Sequence, residues 1–224
     1  MKLVMFDMDG TLIDTHALIA EHMASAFSKA GLTPPSPAES RRVIGLSLPI
    51  AISRLAGTDD GALIETLVAD YKEHYRASLL VDPNREPLFP GAREALERMS
   101  LRSDLELGIA TGKGLAGVER ILGNLGIADL FVSLQTPDHN PSKPHPGMLL
   151  RAMGERGIVP DSVVMVGDTV FDMKLAKAAG VAALGVTWGY HERDELLDAG
   201  ADALIDRFDE IDGAIDRLLE LTHA

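Results

Sequence analysis

Short apolar runs alternate with amphipathic segments from residue 88 onward, and this alternation constrains the fold more than any other feature of the sequence. The runs predict strands at residues 105–110, 130–134, 163–166, 183–186 and 203–205. Helices are predicted between them, one of them over residues 173–179. A further apolar run at residues 3–6 predicts a strand near the N-terminus. Because such alternation is typical of a parallel sheet covered on both faces, we expect an α/β fold with a doubly wound, Rossmann-like core.

A region of different character separates the first predicted strand from the others. Apolar residues recur at helical spacing around residues 19–27 and again around residues 64–75, and a third helix, broken at 45–49, fits within 41–55. No strand pattern occurs in this region. We therefore predict a core formed by residues 1–14 and 86–224, with residues 15–85 inserted as an all-helical domain.

Composition excludes several classes of protein. The chain has 34 acidic and 21 basic residues, a net charge of −13, which disfavours nucleic acid and anionic membranes as partners. The chain contains no cysteine, so disulfides, cysteine zinc sites and thiol nucleophiles are excluded. No stretch approaches the ~20 apolar residues of a membrane span, and the N-terminal apolar run is too short for a signal peptide. We expect a cytoplasmic protein.

Carboxylates directly follow two of the predicted strands. Asp7 and Asp9 end the first strand two residues apart, so their side chains point the same way, and Asp168 and Asp172 follow residues 163–166. Ligands of doubly wound sheets bind at the carboxyl ends of the strands, where we expect these side chains to converge. Their mutual repulsion predicts a divalent cation, and Mg²⁺ suits a few carboxylates with water and phosphate. For Asp172, a charge at a helix N-terminus is an equally good interpretation.

Two other segments at this edge could bind an anion. Thr111 and Gly112 follow the strand at 105–110 and offer a hydroxyl group and backbone amides. The glycine spacing in this segment is one residue shorter than a P-loop requires, so we reject a P-loop here. Lys143 precedes Pro144, which restricts its backbone to extended geometry, so its ammonium group could neutralise phosphate and carboxylates.

The remaining candidates are weaker. Arg41 and Arg42 precede the 45–49 break and could bind a carboxylate or a second phosphate of a substrate. Lys113 could help to attract a substrate, but we interpret it as a solvated side chain. His145 could be a ligand or a base, but we favour a structural role for it. The segment 188–191 either lines the site or packs its aromatic rings on the core.

The segments DMDGTL, ATG, SKPHP and GDTVFD occur in this order between residues 7 and 172. Together they resemble the four motifs of the haloacid dehalogenase superfamily of phosphohydrolases. The layout is similar to the phosphoglycolate phosphatase-like subfamily, in which the helical insert is a mobile cap.

The resemblance implies an Mg²⁺-dependent phosphatase that hydrolyses a small phosphorylated metabolite through an aspartyl-phosphate. It implies that Asp7 is the nucleophile and that Asp9 is the general acid and then the general base. Mg²⁺ would be held by Asp7, Asp168 and the backbone carbonyl of Asp9, with support from Asp172.

The resemblance also implies roles for the anion-binding candidates. Thr111 and Lys143 would bind the oxygens of the transferred phosphoryl group. Gly112 stands where many relatives have asparagine, so only its backbone amide remains available.

Two other functions stay open. A phosphosugar mutase of the same superfamily usually carries basic residues in the loop of the insert that corresponds to residues 45–49, and none occurs here. A non-catalytic phosphate-binding or regulatory module is the other alternative. The physiological substrate and the oligomeric state are not indicated by the sequence.

Overall fold

The sheet is six-stranded and parallel, with the strand order β3-β2-β1-β4-β5-β6. The computed structural model describes residues 1–221. The strands are β1 (Lys2–Phe6), β2 (Leu105–Ala110), β3 (Phe131–Gln135), β4 (Val163–Gly167), β5 (Ala182–Val186) and β6 (Ala203–Ile205). This topology confirms the predicted doubly wound core.

The central strand β1 places the ends of its neighbours beside its own. Phe6 lies opposite Ile109 of β2 on one side and opposite Val166 of β4 on the other. The residues that follow these three strands therefore start at the same edge of the sheet. All of residues 3–6 are fully buried, which explains why an apolar run without polar alternation forms this strand.

The part of the described structure from residue 15 to residue 85, between β1 and β2, contains four helices. They are α1 (His16–Lys29), α2 (Pro37–Arg41), α3 (Leu48–Ala56) and α4 (Gly61–Val81). Helices α1, α3 and α4 share an apolar cluster that includes Leu18, Met23, Ile52 and Leu67. We call residues 15–85 the helical insert. Their division from residues 1–14 and 86–224 as a separate domain stays a prediction.

Six further helices surround the sheet in the described residues. They are α5 (Ala92–Ser100), α6 (Leu115–Leu125), α7 (Gly147–Arg156), α8 (Val170–Ala179), α9 (Arg193–Asp198) and α10 (Ile211–Leu221). Alternate residues of β1 enter two different apolar clusters. Val4 and Phe6 belong to one, and Leu3 and Met5 to the other, as expected for a sheet covered on both faces. No helix within residues 1–221 has both the length and the apolar character needed to cross a bilayer.

The boundaries of several predicted elements differ from the structure, among them those of α8 and β3. Helix α8 begins at Val170 instead of residue 173, because Thr169 and Asp172 form a reciprocal capping box at its start. Strand β3 begins at Phe131, since residues 128–130 form a short 3₁₀ turn. The first difference places Asp172 in the first turn of α8, close to the end of β4.

Candidate active site

Asp7 follows β1 and lies at the centre of the site. Its side chain is 1% exposed, and Oδ1 accepts a hydrogen bond from the backbone N–H of Met8 at 2.7 Å and forms an ion pair with Nζ of Lys143 at 3.0 Å. The other oxygen, Oδ2, is buried and has no hydrogen-bond partner among the described residues. A buried carboxylate oxygen without a partner is costly, so this atom is suited to a cation or a reacting group.

Lys143 joins Asp7 to Asp172. Its side chain has no solvent exposure, and its Nζ lies 2.6 Å from Oδ1 of Asp172. The other oxygen of Asp172 accepts from the backbone N–H of Thr169 at 3.0 Å and from its hydroxyl at 2.7 Å. Asp172 therefore caps α8 with one oxygen and contacts Lys143 with the other, and its role at a metal stays a prediction.

Asp168 completes the acidic cluster. It is fully buried, and its two oxygens accept from the Thr11 hydroxyl and from the backbone N–H of Tyr190, both at 2.8 Å. Asp7, Asp168 and Asp172 each offer a carboxylate oxygen within 4.8 Å of the others. Hard oxygen donors and the unpartnered Oδ2 of Asp7 fit a hard divalent cation such as Mg²⁺.

Burial and mutual repulsion dominate the electrostatics of the cluster. Burial raises the pKa of Asp7 from 3.8 to about 7, opposed by Lys143 and reinforced by Asp172. Burial, with the charges of Asp172 and Asp7, raises the pKa of Asp168 well above its ordinary value. Burial alone would lower the pKa of Lys143, but Asp172 and Asp7 outweigh it and raise that pKa. The lysine therefore stays charged inside the protein.

Asp9 lies beside this cluster and is held by two groups. Its Oδ1 accepts from the Thr15 hydroxyl at 2.6 Å, and its Oδ2 lies 3.2 Å from Nζ of Lys113. The interpretation of Lys113 as solvated is wrong. Its side chain is 13% exposed, and its ammonium group lies 5.1 Å from the ring centre of Tyr75 in α4. No local pattern indicates this contact, because Tyr75 comes from the insert, far away in the chain.

The loop after β2 contacts the helical insert directly. Thr111 is buried, and its hydroxyl accepts from the backbone N–H of Lys113, which leaves the hydroxyl proton available. A Cβ atom added to Gly112 would lie 2.4 Å from the carbonyl oxygen of Leu46. The insert therefore occupies the space that an asparagine side chain would need.

The structure gives Arg41 and Arg42 partners in the core. Arg41 donates to the backbone carbonyls of Gly189 and Tyr190, and Arg42, 58% exposed, pairs with Glu195 at 2.6 Å. No hydrogen bond or ion pair joins either arginine to the acidic cluster within residues 1–221. Their role in substrate binding stays a prediction.

Two residues with supporting contacts, Thr11 and Thr15, were not singled out from the sequence. Thr11 belongs to the quoted DMDGTL segment, and Thr15 follows it. In segment 188–191, the backbone N–H of Tyr190 contacts Asp168, and the ring of Trp188 packs on the core with its centre 4.5 Å from that of Phe208. The Tyr190 ring packs instead among the insert's apolar residues. His145 accepts from the backbone N–H of Gly147 at the start of α7, a structural contact as expected.

The family described as haloacid dehalogenase-like hydrolase matches residues 4–186. The chain belongs to this family. "Probable phosphatase IndB" of Dickeya dadantii (strain 3937) is 37% identical to this hydrolase, over 98% of this chain and 96% of the relative. An N-acetylmuramic acid 6-phosphate phosphatase of Pseudomonas aeruginosa is 31% identical, over 98% and 96% respectively.

A solved structure confirms the likeness of the hydrolase over almost its whole length. It is described as a predicted phosphoglycolate phosphatase from Haemophilus somnus 129pt, and it superposes with a TM-score of 0.82 at 26% identity. The match covers 95% of this chain and 97% of that one. The family membership inferred from the four motifs is therefore confirmed.

Gly112→Ala tests the contact between the hydrolase core and its insert. The added methyl group would meet the Leu46 carbonyl at 2.4 Å, so the insert must shift away from the site. We expect kcat/KM for a phosphate ester to fall, by up to ~100-fold if the shift approaches 1 Å. The control is Gly114→Ala on the same loop, where the added atom would lie 3.5 Å from Asp138 at an ordinary φ of −69°. Equal activity of the two variants would contradict this account.

The raised pKa of Asp7 predicts a pH-dependent stability in EDTA. Between about pH 4 and about pH 7 the folded hydrolase keeps a proton that the unfolded chain has lost, so rising pH destabilises the fold. Asp7→Asn removes this proton. We expect the unfolding free energy of the wild type relative to Asp7→Asn to fall by up to about 1.4 kcal/mol per pH unit in this range. Urea denaturation at several pH values measures the unfolding free energies of both proteins. A difference between these free energies that is constant with pH would refute the prediction.

Proposed function

We propose that this enzyme, a phosphatase of its family, requires Mg²⁺ and hydrolyses small phosphate monoesters through an aspartyl-phosphate on Asp7. The observation that carries the proposal is the environment of Asp7, with Lys143 at 3.0 Å from one oxygen and, among residues 1–221, no hydrogen-bond partner for the other. A carboxylate can approach a phosphate dianion only where positive charge offsets the repulsion. Lys143 supplies part of that charge.

In the first step, a carboxylate oxygen of Asp7 forms a bond to phosphorus while the bond from phosphorus to the ester oxygen breaks. Asp9 donates a proton to the departing alkoxide, which leaves as an alcohol. Thr15 and Lys113 hold the Asp9 carboxyl group in place. The hydroxyl of Thr111 and the ammonium group of Lys143 bind the phosphoryl oxygens, so positioning and charge stabilisation carry this step.

In the second step, water attacks the phosphorus of the aspartyl-phosphate and the bond to Asp7 breaks. Asp9, now ionised, accepts the proton of the water, and the Asp7 carboxylate is regenerated with release of inorganic phosphate. The same carboxyl group therefore serves as acid and as base, and the enzyme returns to its starting protonation.

Asp7, Asp168 and the backbone carbonyl of Asp9 would hold Mg²⁺, with Asp172 in support. The ion, when bound, neutralises phosphate charge and polarises the phosphoryl oxygens. The carboxylates of Asp7, Asp168 and Asp172 support this assignment, because each offers a hard oxygen atom within 4.8 Å of the others.

Phosphoglycolate is our first candidate substrate, and a sugar phosphate is the second. The names of the two relatives and of the solved structure support a phosphatase. Two of these names mention a phosphate ester, and the two esters differ. The mutase alternative is disfavoured because residues 45–49 carry no basic side chain. The cytoplasmic location and the lack of nucleic-acid or membrane partners stay predictions from composition.

Phosphate release from a panel of esters, with and without Mg²⁺, tests the proposal. The panel contains phosphoglycolate, N-acetylmuramic acid 6-phosphate, hexose phosphates, a nucleotide and an aryl phosphate. We expect Mg²⁺-dependent release that Asp7→Asn lowers by ~10³-fold or more, as loss of a nucleophile does in other enzymes. Asp14→Asn, at an exposed carboxylate seven residues away, should retain activity. Release that survives Asp7→Asn would contradict the assigned nucleophile, and no release from any ester would contradict the phosphatase.

A further inference from the structure

Two consecutive peptide groups lie between Arg41 and Asp168. The N–H of Tyr190 donates to Oδ2 of Asp168 at 2.8 Å, and the N–H of His191 donates to the backbone carbonyl of Asp168 at 3.3 Å. The carbonyls of the same two peptide groups, those of Gly189 and Tyr190, both accept from the guanidinium of Arg41. Each peptide group therefore joins the arginine on one side to the aspartate on the other.

The guanidinium fork is what permits this arrangement. Nη2 of Arg41 donates to Gly189 at 3.0 Å, while Nε donates to Tyr190. Arginine presents several N–H donors in a fixed plane, so a single side chain can hold two neighbouring carbonyls. Hydrogen bonds in series polarise one another, so the charge of Arg41 strengthens the donors that face Asp168.

The loop that carries these peptide groups lies directly against Asp168. A Cβ atom on Gly189 would lie 2.2 Å from the Cβ of Asp168, so the backbone of the loop is pressed against the aspartate. The Tyr190 ring is 4% exposed and packs in the apolar cluster of the helical insert. A shift of these peptides would therefore move the Asp168 carboxylate with them.

We propose that Arg41 is a positioning residue for the metal site, holding Asp168 in its ligating orientation through the Gly189–Tyr190 and Tyr190–His191 peptide groups. Arg41 ends helix α2 of the insert, whereas the peptides and Asp168 belong to the core. The contact therefore exists only while the insert lies on the core. This inference rests on the proposed function, since Asp168 is a ligand only if the site binds Mg²⁺.

A consequence is that docking of the insert and binding of Mg²⁺ favour each other. If docked Arg41 improves the affinity of the site for Mg²⁺, bound Mg²⁺ must stabilise the docked insert by the same free energy. Arg41 would then act on the reaction without touching the substrate, which differs from the direct substrate contact expected from the sequence.

Isothermal titration calorimetry of Mg²⁺ into the full-length, substrate-free protein tests the proposal. The variants are Arg41→Met, Arg41→Lys and, as a matched control, Arg42→Met. Arg42 is the next residue and also pairs with the core, but its partner Glu195 is a side chain on α9. Urea denaturation in EDTA compares the stabilities of the metal-free variants, so a general loss of folding is separated from a loss of affinity.

We expect Arg41→Met to raise the Mg²⁺ dissociation constant by about tenfold, the low end of the effect of residues that orient metal ligands. The dissociation constant of Arg41→Lys should lie between those of Arg41→Met and the wild type, because one ammonium group replaces only some of the guanidinium donors. Arg42→Met should bind Mg²⁺ as the wild type does, since it removes an exposed ion pair.

The positioning role would be overturned if Arg41→Met bound Mg²⁺ as tightly as the wild type, or if Arg42→Met lost as much Mg²⁺ affinity as Arg41→Met. Either result would leave the metal site itself intact. Failure of the wild type to bind Mg²⁺ would overturn both this inference and the metal dependence of the proposed function. The positioning role would also be overturned if the loss of Mg²⁺ affinity in Arg41→Met were fully explained by a lower stability of the metal-free variant.

Discussion

A lysine with no exposure to solvent holds the acidic edge of the sheet together. Lys143 lies 3.0 Å from Asp7 and 2.6 Å from Asp172, and these contacts offset the burial of all three charges. Removal of the cation would leave carboxylates buried without compensation, which is far more costly than loss of a surface pair. The same ammonium group can bind a phosphate. Lys143 therefore stabilises the site without substrate and also supplies positive charge for an anion.

The parallel sheet makes this contact possible because it brings distant parts of the chain to one edge. Asp7 follows β1 and Asp172 lies just beyond β4, and the register of these two strands sets their separation. The helical insert then covers the site from outside. Its Leu46 carbonyl lies against Gly112, and its Arg41 reaches the peptides behind Asp168. Core and insert are thus connected through backbone groups as well as side chains.

The features that could be predicted from the sequence are those that depend on short stretches of chain. Strand β1 and the Asp7–Asp9 pair are local patterns, since each depends on a few consecutive residues. The environment of Lys113 and the partners of Arg41 could not be predicted in this way. They depend on how the insert lies on the core, and no local pattern encodes contacts between residues about 40 to 150 positions apart.

The most direct test of the account asks whether a phosphoryl group is attached to Asp7 during turnover. The Asp9→Asn variant is mixed with Mg²⁺ and an aryl phosphate, whose good leaving group needs no proton, and is quenched in acid within the first turnover. Because the second step lacks its base, we predict that the phosphorylated enzyme accumulates. Mass spectrometry of the proteolysed protein should place one phosphoryl group on the peptide that contains Asp7. Phosphate release without a phosphorylated enzyme, or a phosphoryl group on another residue, would contradict the central role of Asp7.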